Sequence, residues 1–294
     1  MDKTLKGVRV LSLALNLPGP AALMRCRDMG ARCTKLEPPA PAGSPAGASG
    51  DPMWHYNRAA YESMHEGVRI MTADLKSERG QKQLHRTLAK TDVLLTSFRP
   101  SALAKLGLSW STLHRQYPQL SMVQIVGAPG ARAEEPGHDL TYLAENDLVA
   151  GLEIPPTLYA DMGGSLMASE AVLRARLRTL TSGNGVLQEV ALSDAAAYLA
   201  LPRTWGLTRS GAAVGGGHAG YGVYACKDGR VALAALEPHF ARALATLAGL
   251  EQSSMETMFT PQARASIAAF LAGKTRKQLH TLAVSHAIPL HTLD

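Results

Sequence analysis

The stretch LKGVRVLSLALNLPGPAALMRCRDMGARCTKLEPP, Leu5–Pro39, decides the fold. Val8–Leu15 is a short apolar run with the length and branching of a buried strand. Pro18 and Pro20 break it, and Pro20–Met29 then carries a helical pattern that Gly30 can close as the residue after the C-cap. Arg32–Leu36 is a second apolar run. Strand, helix and strand within thirty residues make a βαβ unit.

The same alternation continues outward. Residues 38–53 are rich in Pro, Ala and Gly and read as a long loop. Arg69–Leu75 reads as a strand, Ser77 as the N-cap of a following helix, and Asp92–Phe98 and Leu120–Val126 as further strands. Apolar strands alternating with helices predict a parallel sheet covered on both faces, with ligands outside the carboxyl ends of its strands. Beyond Gly127 the spacing predicts a loop over 127–138, a helix over Asp139–Leu148, a long helix over Met162–Leu180 and a strand over Val186–Leu192. Tyr221–Cys226 and Arg230–Leu236 predict a hairpin with Asp228-Gly229 in the turn, followed by helices near 237–250, 261–272 and 275–285. The fold class expected is α/β: a Rossmann-like parallel-sheet large domain over 1–200, a linker over 201–219 and a small α+β domain over 220–294.

Composition narrows the function classes. Of 294 residues, 46% are hydrophobic, enough for a sizeable core, and no run of eighteen apolar residues suggests a membrane span. The charged start and short apolar run at residues 1–15 lack a cleavage signal, so a first strand is expected there rather than a signal peptide. Cys26, Cys33 and Cys226 have neither metal spacing nor an even count, which points to a reducing, cytoplasmic setting. The net charge of +6 is spread along the chain and aromatics are only 5%, a poor match to nucleic-acid binding but compatible with a phosphorylated small ligand. No GxSxG, HExxH, paired CxxC or GxGxxG is present, and Gly215–Gly217 lacks phosphate-loop spacing.

Three polar positions stand out. His138, in PGHDL, joins a Gly/Pro-rich loop to a helix, where catalytic groups concentrate; it also fits a surface histidine ahead of an Asp139 N-cap. Asp161, in YADMGGSLMA, fits an N-cap, or a carboxylate beside backbone N–H groups that can hold a developing enolate. Gly163 and Gly164 would then let a ligand approach the backbone. Glu237, in ALEPHF, precedes Pro238 and fits a helix-start carboxylate.

These positions sit in a longer series: TADLKSERGQ, TDVLLTSFRPSALAKLGL, QLSMVQIVGAPG, then GHD, ADMGG, TSGNG and YACKDGRVALAALEP. In this order, behind the opening Leu5–Pro39 unit, they resemble the family III CoA-transferases, and more narrowly the alpha-methylacyl-CoA racemases. The resemblance implies an acyl-CoA enzyme. Its substrate would be a 2-methyl-branched acyl-CoA, racemised by two-base transfer of the α-proton. CoA would enter only as part of the thioester, with no metal, nicotinamide or flavin. Asp161 and His138 would be the acid/base pair and Glu237 would support the histidine, while Arg99 of SFRP, otherwise a solvated strand-end arginine, would contact CoA phosphates. It also implies a homodimer with no nucleic-acid or membrane partner.

In the transferases the aspartate is instead a nucleophile that carries acyl and then CoA, so a CoA-transferase working through Asp161 is the alternative. The sequence departs from the family pattern in three places, and the first and last of them carry a further alternative, a non-catalytic CoA-binding homologue. His65–Ile70 reads HEGVRI where the family has an NRGKRS-like stretch, placing Glu66 and Val68 at basic positions. The GHD-to-ADMGG loop is short, and family members continue beyond AIPLHTLD with a segment that returns to the large domain.

Overall fold

The computed structural model describes residues 3–251 and 254–294. The chain divides into two compact units, one ending at Ala200 and one running Leu201–Asp294.

In the first unit the elements follow in the order β1 (Arg9–Ser12), α1 (Pro18–Asp28), β2 (Arg32–Glu37), α2 (Pro52–Tyr56), α3 (Arg58–His65), β3 (Arg69–Thr72), α4 (Glu78–Leu88), β4 (Val93–Thr96), α5 (Pro100–Lys105), α6 (Trp110–Gln116), β5 (Ser121–Val126), α7 (Asp139–Glu145), α8 (Tyr159–Ser182), β6 (Leu187–Ala191) and α9 (Leu192–Leu199). Six strands form one sheet in the order β3-β2-β1-β4-β5-β6, every pair parallel. This is the doubly wound arrangement, with the strand order reversing between β1 and β4. Side chains alternate as the pleat requires. Val10, Val93 and Val123 pack on one face with Leu23 of α1 and Val172 of α8. Leu11, Leu94 and Met122 pack on the other with Leu84 of α4, Leu103 of α5 and Leu113 of α6. The βαβ unit read at Leu5–Pro39 is present, with the ladder confined to four residues of β1. Gly30, at φ +93°, supplies the left-handed residue that ends α1 after Met29.

The second unit contains α10 (Leu201–Thr204), β7 (Tyr221–Cys226), β8 (Gly229–Ala234), α11 (Pro238–Leu247), α12 (Met255–Met258), α13 (Pro261–Ala272), α14 (Arg276–His286) and β9 (Leu290–Leu293). Its three strands are antiparallel in the order β7-β8-β9. Val231, Leu233, Leu244, Ile267, Leu271 and Leu279 form its core. The hairpin turn lies one residue earlier than expected. Cys226 pairs with Gly229, so Lys227 and Asp228 make the turn. The Lys227 N–H donates to the Lys274 carbonyl and Asp228 accepts from the Arg276 N–H, which fixes that register. No helix among the described residues is long and apolar enough to cross a membrane.

Candidate active site

The chain segments that follow β1, β4 and β5 converge with the starts of α7 and α8 around a cavity of about 490 Å³. It lies outside the carboxyl ends of the strands, where the order reverses. His138, Asp161 and Arg99 all line it.

His138 is the N-cap of α7. Thr141 fixes its backbone: Oγ1 accepts from the His138 N–H at 3.1 Å and donates to the His138 carbonyl at 2.7 Å. The residue is exposed. Asp139, by contrast, is buried, and its Oδ1 accepts the Asp161 N–H at 2.9 Å. The start of α7 and the start of α8 are thereby locked together.

Asp161 differs from the sequence reading. Helix α8 begins at Tyr159, with Leu158 as N-cap, so Asp161 is the third helical residue rather than the cap. No hydrogen bond reaches its carboxylate among the described residues. Burial pushes the Asp161 carboxyl up, and the nearby Asp139 carboxylate adds to the rise, to about 6. The Asp139 hydrogen bond is spent on the Asp161 backbone and so does nothing to lower the side chain.

The earlier helix start also corrects the expected enolate site. The Met162 N–H donates to the Leu158 carbonyl at 3.0 Å, so the Met162–Gly164 turn is already inside the helical ladder. The two glycines pack closely against α9. A Cβ on Gly164 would lie 2.3 Å from Leu192 Cδ2, and one on Gly163 would lie 3.2 Å from Leu199 Cδ1, both on α9. Neither glycine lines the His138–Asp161 cavity. Arg99 does, as the exposed N-cap of α5 immediately after β4. Glu237 lies in the second unit, where it is the N-cap of α11 with no side-chain cap hydrogen bond; every residue lining the cavity comes from the first.

Two residues of the cavity escaped the sequence reading. Asp139 was weighed only as a cap, and Tyr142 not at all. Their spacing of three on a helix, within DLTYL, places both on one face of α7 and was the available signal. Tyr142 is buried, with its hydroxyl against Gly127 and Gly137, where any Cβ would clash. Its hydroxyl is held above its ordinary pKa by burial first and by the Asp161 charge next.

A second polar cluster supports the rim. Lys35 is fully buried. Its Nζ pairs with Asp51, lies 3.0 Å from Glu37 Oε1 and 2.9 Å from His65 Nε2. Tyr61 donates to Glu37 Oε1 at 2.8 Å. Asp51 Oδ1 in turn accepts the Asn16 N–H at 3.0 Å and the Met53 N–H at 2.9 Å, and both those residues line the cavity. Glu37, Asp51 and His65 lie close enough together to hold a metal ion, but the Lys35 ammonium already bonds all three and supplies the cluster's positive charge. Burial, and then the Lys35 charge, lower the His65 pKa and keep the ring neutral.

Residues 5–293 match the family described as CoA-transferase family III. Cinnamoyl-CoA:phenyllactate CoA-transferase of Clostridium sporogenes is 32% identical over 206 residues, covering 65% of this chain and 50% of that protein. Alpha-methylacyl-CoA racemase of Mus musculus is 30% identical over 93% of this chain and 73% of its own length. The chain thus spans about half the length of the first relative and about three quarters of the second. Among solved structures, Rv3272 of Mycobacterium tuberculosis superposes with a TM-score of 0.82 at 24% identity, over 99% of this chain and 82% of that one.

Proposed function

The chain belongs to CoA-transferase family III, and from that premise we propose that it racemises or epimerises 2-methyl-branched acyl-CoA thioesters by moving the α-proton between two bases. One observation carries this reading: His138 and Asp161 line one cavity, and the Asp161 carboxyl is raised to about 6.

The chemistry follows from the thioester. Removing its α-proton gives a carbanion delocalised into the carbonyl. A base on one face of that carbon removes the proton, and an acid on the other face returns one with inverted configuration. Each group must then work in both protonation states, so its pKa belongs near the operating pH. An ordinary aspartate is too acidic to return a proton readily, whereas a carboxyl raised to about 6 can both take and return one. Partial burial of Asp161, and then the charge of Asp139, produce that rise. Arg99, at the mouth of the same cavity, would hold CoA phosphate through paired N–H donors. Glu237 would support His138, as the resemblance implies.

A specific observation also favours a second reading. A desolvated carboxylate that accepts no hydrogen bond is a competent nucleophile. As a CoA-transferase, Asp161 would attack the thioester carbonyl, releasing CoA thiolate and forming an aspartyl–acyl anhydride. CoA would then attack the aspartyl carbonyl, releasing the carboxylate.

Incubating the protein with 2-methylacyl-CoA esters in deuterated water and reading α-deuteration by mass spectrometry separates the two. Racemisation incorporates deuterium with no adduct. A hydroxylamine-sensitive adduct on Asp161, without α-exchange, would replace the first reading by the second. Binding of CoA with neither outcome would leave a non-catalytic homologue.

A further inference from the structure

A second cavity lies at the opposite end of the sheet. Helix α4 covers one sheet face, placing Leu84 and Leu88 in the core with Leu11 and Leu36. The first residues of the three strands beneath it, Arg9, Arg32 and Arg69, stay exposed. With α4 they line a cavity of about 870 Å³. The His138–Asp161 cavity follows the strand ends; this one is built on the strand starts.

Most of its charge is uncompensated. Arg32, Arg69, Arg79, Arg86 and Lys90 line it, and none has an ion-pair partner among the described residues. Arg9 and Lys82 also line it but are paired, with Asp92 and Glu78. The dipole of α4 accounts for Arg86 in its last turn. It does not account for Arg79, which stands in the first turn, where the dipole opposes a cation. Nor does it account for Arg32 and Arg69, which begin adjacent strands and have no ion-pair partner among the described residues. Unpaired like charges on one wall repel, and a concave wall concentrates their field. An anion bound between them relieves both costs.

The rest of the lining names its class. Thr34 and the second amide proton of Gln83 can donate hydrogen bonds, whereas the Thr87 and Thr91 hydroxyls already donate to backbone carbonyls, and no aromatic ring stands among the lining residues to stack a base. The volume suits a small ligand larger than orthophosphate, and arginine grips phosphate oxygens in pairs. We propose that this cavity binds a compact polyphosphorylated anion, independently of the His138–Asp161 cavity.

The test is calorimetric titration of the full chain with inorganic tripolyphosphate. Saturable one-to-one binding that weakens with added salt is expected, with orthophosphate binding at least tenfold more weakly. Arg69→Ala with Arg86→Ala should weaken tripolyphosphate at least tenfold, and Arg32→Ala with Lys90→Ala should do the same. All four positions are exposed, and the second pair gives the answer if the first does not fold. Arg99→Ala, in the other cavity, should leave the affinity unchanged. Absence of saturable binding, wild-type affinity in a folded double variant, or loss tracking Arg99 would each overturn the proposal.

Discussion

Two clusters of ionisable groups stand around one cavity, and they use their charges in opposite ways. In the Lys35 cluster every polar atom has a partner: Lys35 bonds Asp51, Glu37 and His65, and the carboxylates take further donors from Tyr61, Asn16 and Met53. In the His138–Asp161 cluster the Asp139 carboxylate is spent on backbone and the Asp161 carboxylate has no donor among the described residues. A satisfied network holds shape. An unsatisfied carboxylate with a raised pKa holds chemistry.

The largest expected contrast comes from removing the central group of each cluster. Asp161→Asn should lower turnover by about 10²–10⁴-fold, the range for a lost general acid/base, while its denaturant midpoint at neutral pH should equal or exceed wild type, because a desolvated charge is removed. Lys35→Met should do the reverse in kind, leaving two buried carboxylates unpaired at a cost of about 3–5 kcal/mol in urea unfolding. If Asp161→Asn destabilised the fold and Lys35→Met did not, the division of roles would be wrong.

A smaller effect lies in pH dependence. Catalysis that needs the Asp161 carboxylate should rise as pH passes about 6. Asp139→Asn keeps an oxygen to accept the Asp161 N–H but removes the charge, so this limb of kcat/KM should move to lower pH without falling to an ordinary aspartate value, because burial remains the larger cause. Stability should respond with opposite signs in the two clusters. Asp161, with its folded pKa raised, contributes most below the unfolded value of 3.8 and loses that contribution as pH climbs through about 6. His65, with its folded pKa lowered, contributes above 6.5 and loses it as pH falls. Unfolding midpoints of Asp161→Asn and His65→Gln across pH 4–8 check both signs.

The smallest effect separates the two glycines. Gly164→Ala should cost about 1–2 kcal/mol, overpacking against Leu192 less the helix propensity gained. Gly163→Ala should be close to neutral in thermal unfolding, and CoA affinity should be unchanged in both. A loss of CoA affinity would restore these glycines to the binding site.

Much of this was legible in the sequence. Apolar runs of five to eight residues with Gly and Pro punctuation were enough for the parallel sheet and the βαβ order. His138 and Asp161 were visible as polar residues beside a Gly/Pro-rich loop and a glycine pair, whereas Arg99 was visible only through the family resemblance. Helices α2 and α3 were hidden because Pro52–His65 carries little apolar periodicity, and β9 because four residues are too few to show alternation. The position of Asp161 within α8 was misread because Leu158 caps the helix without a side-chain hydrogen bond, so no cap residue marks the true start. The Lys35 cluster was unreadable for a different reason. Its members are fourteen or more residues apart beyond the Lys35–Glu37 pair, and only the folded sheet brings Asp51 and His65 onto one ammonium.

The most direct test of the two-base account uses each hand of a 2-methylacyl-CoA separately, in deuterated water, with His138→Ala and Asp161→Asn. The account predicts that the wild type exchanges the α-proton of both hands. Each variant should lose racemisation yet retain exchange with a single hand, and the hand retained should be opposite in the two variants. Equal exchange of both hands by either variant, or none by the wild type while CoA still binds, would contradict it.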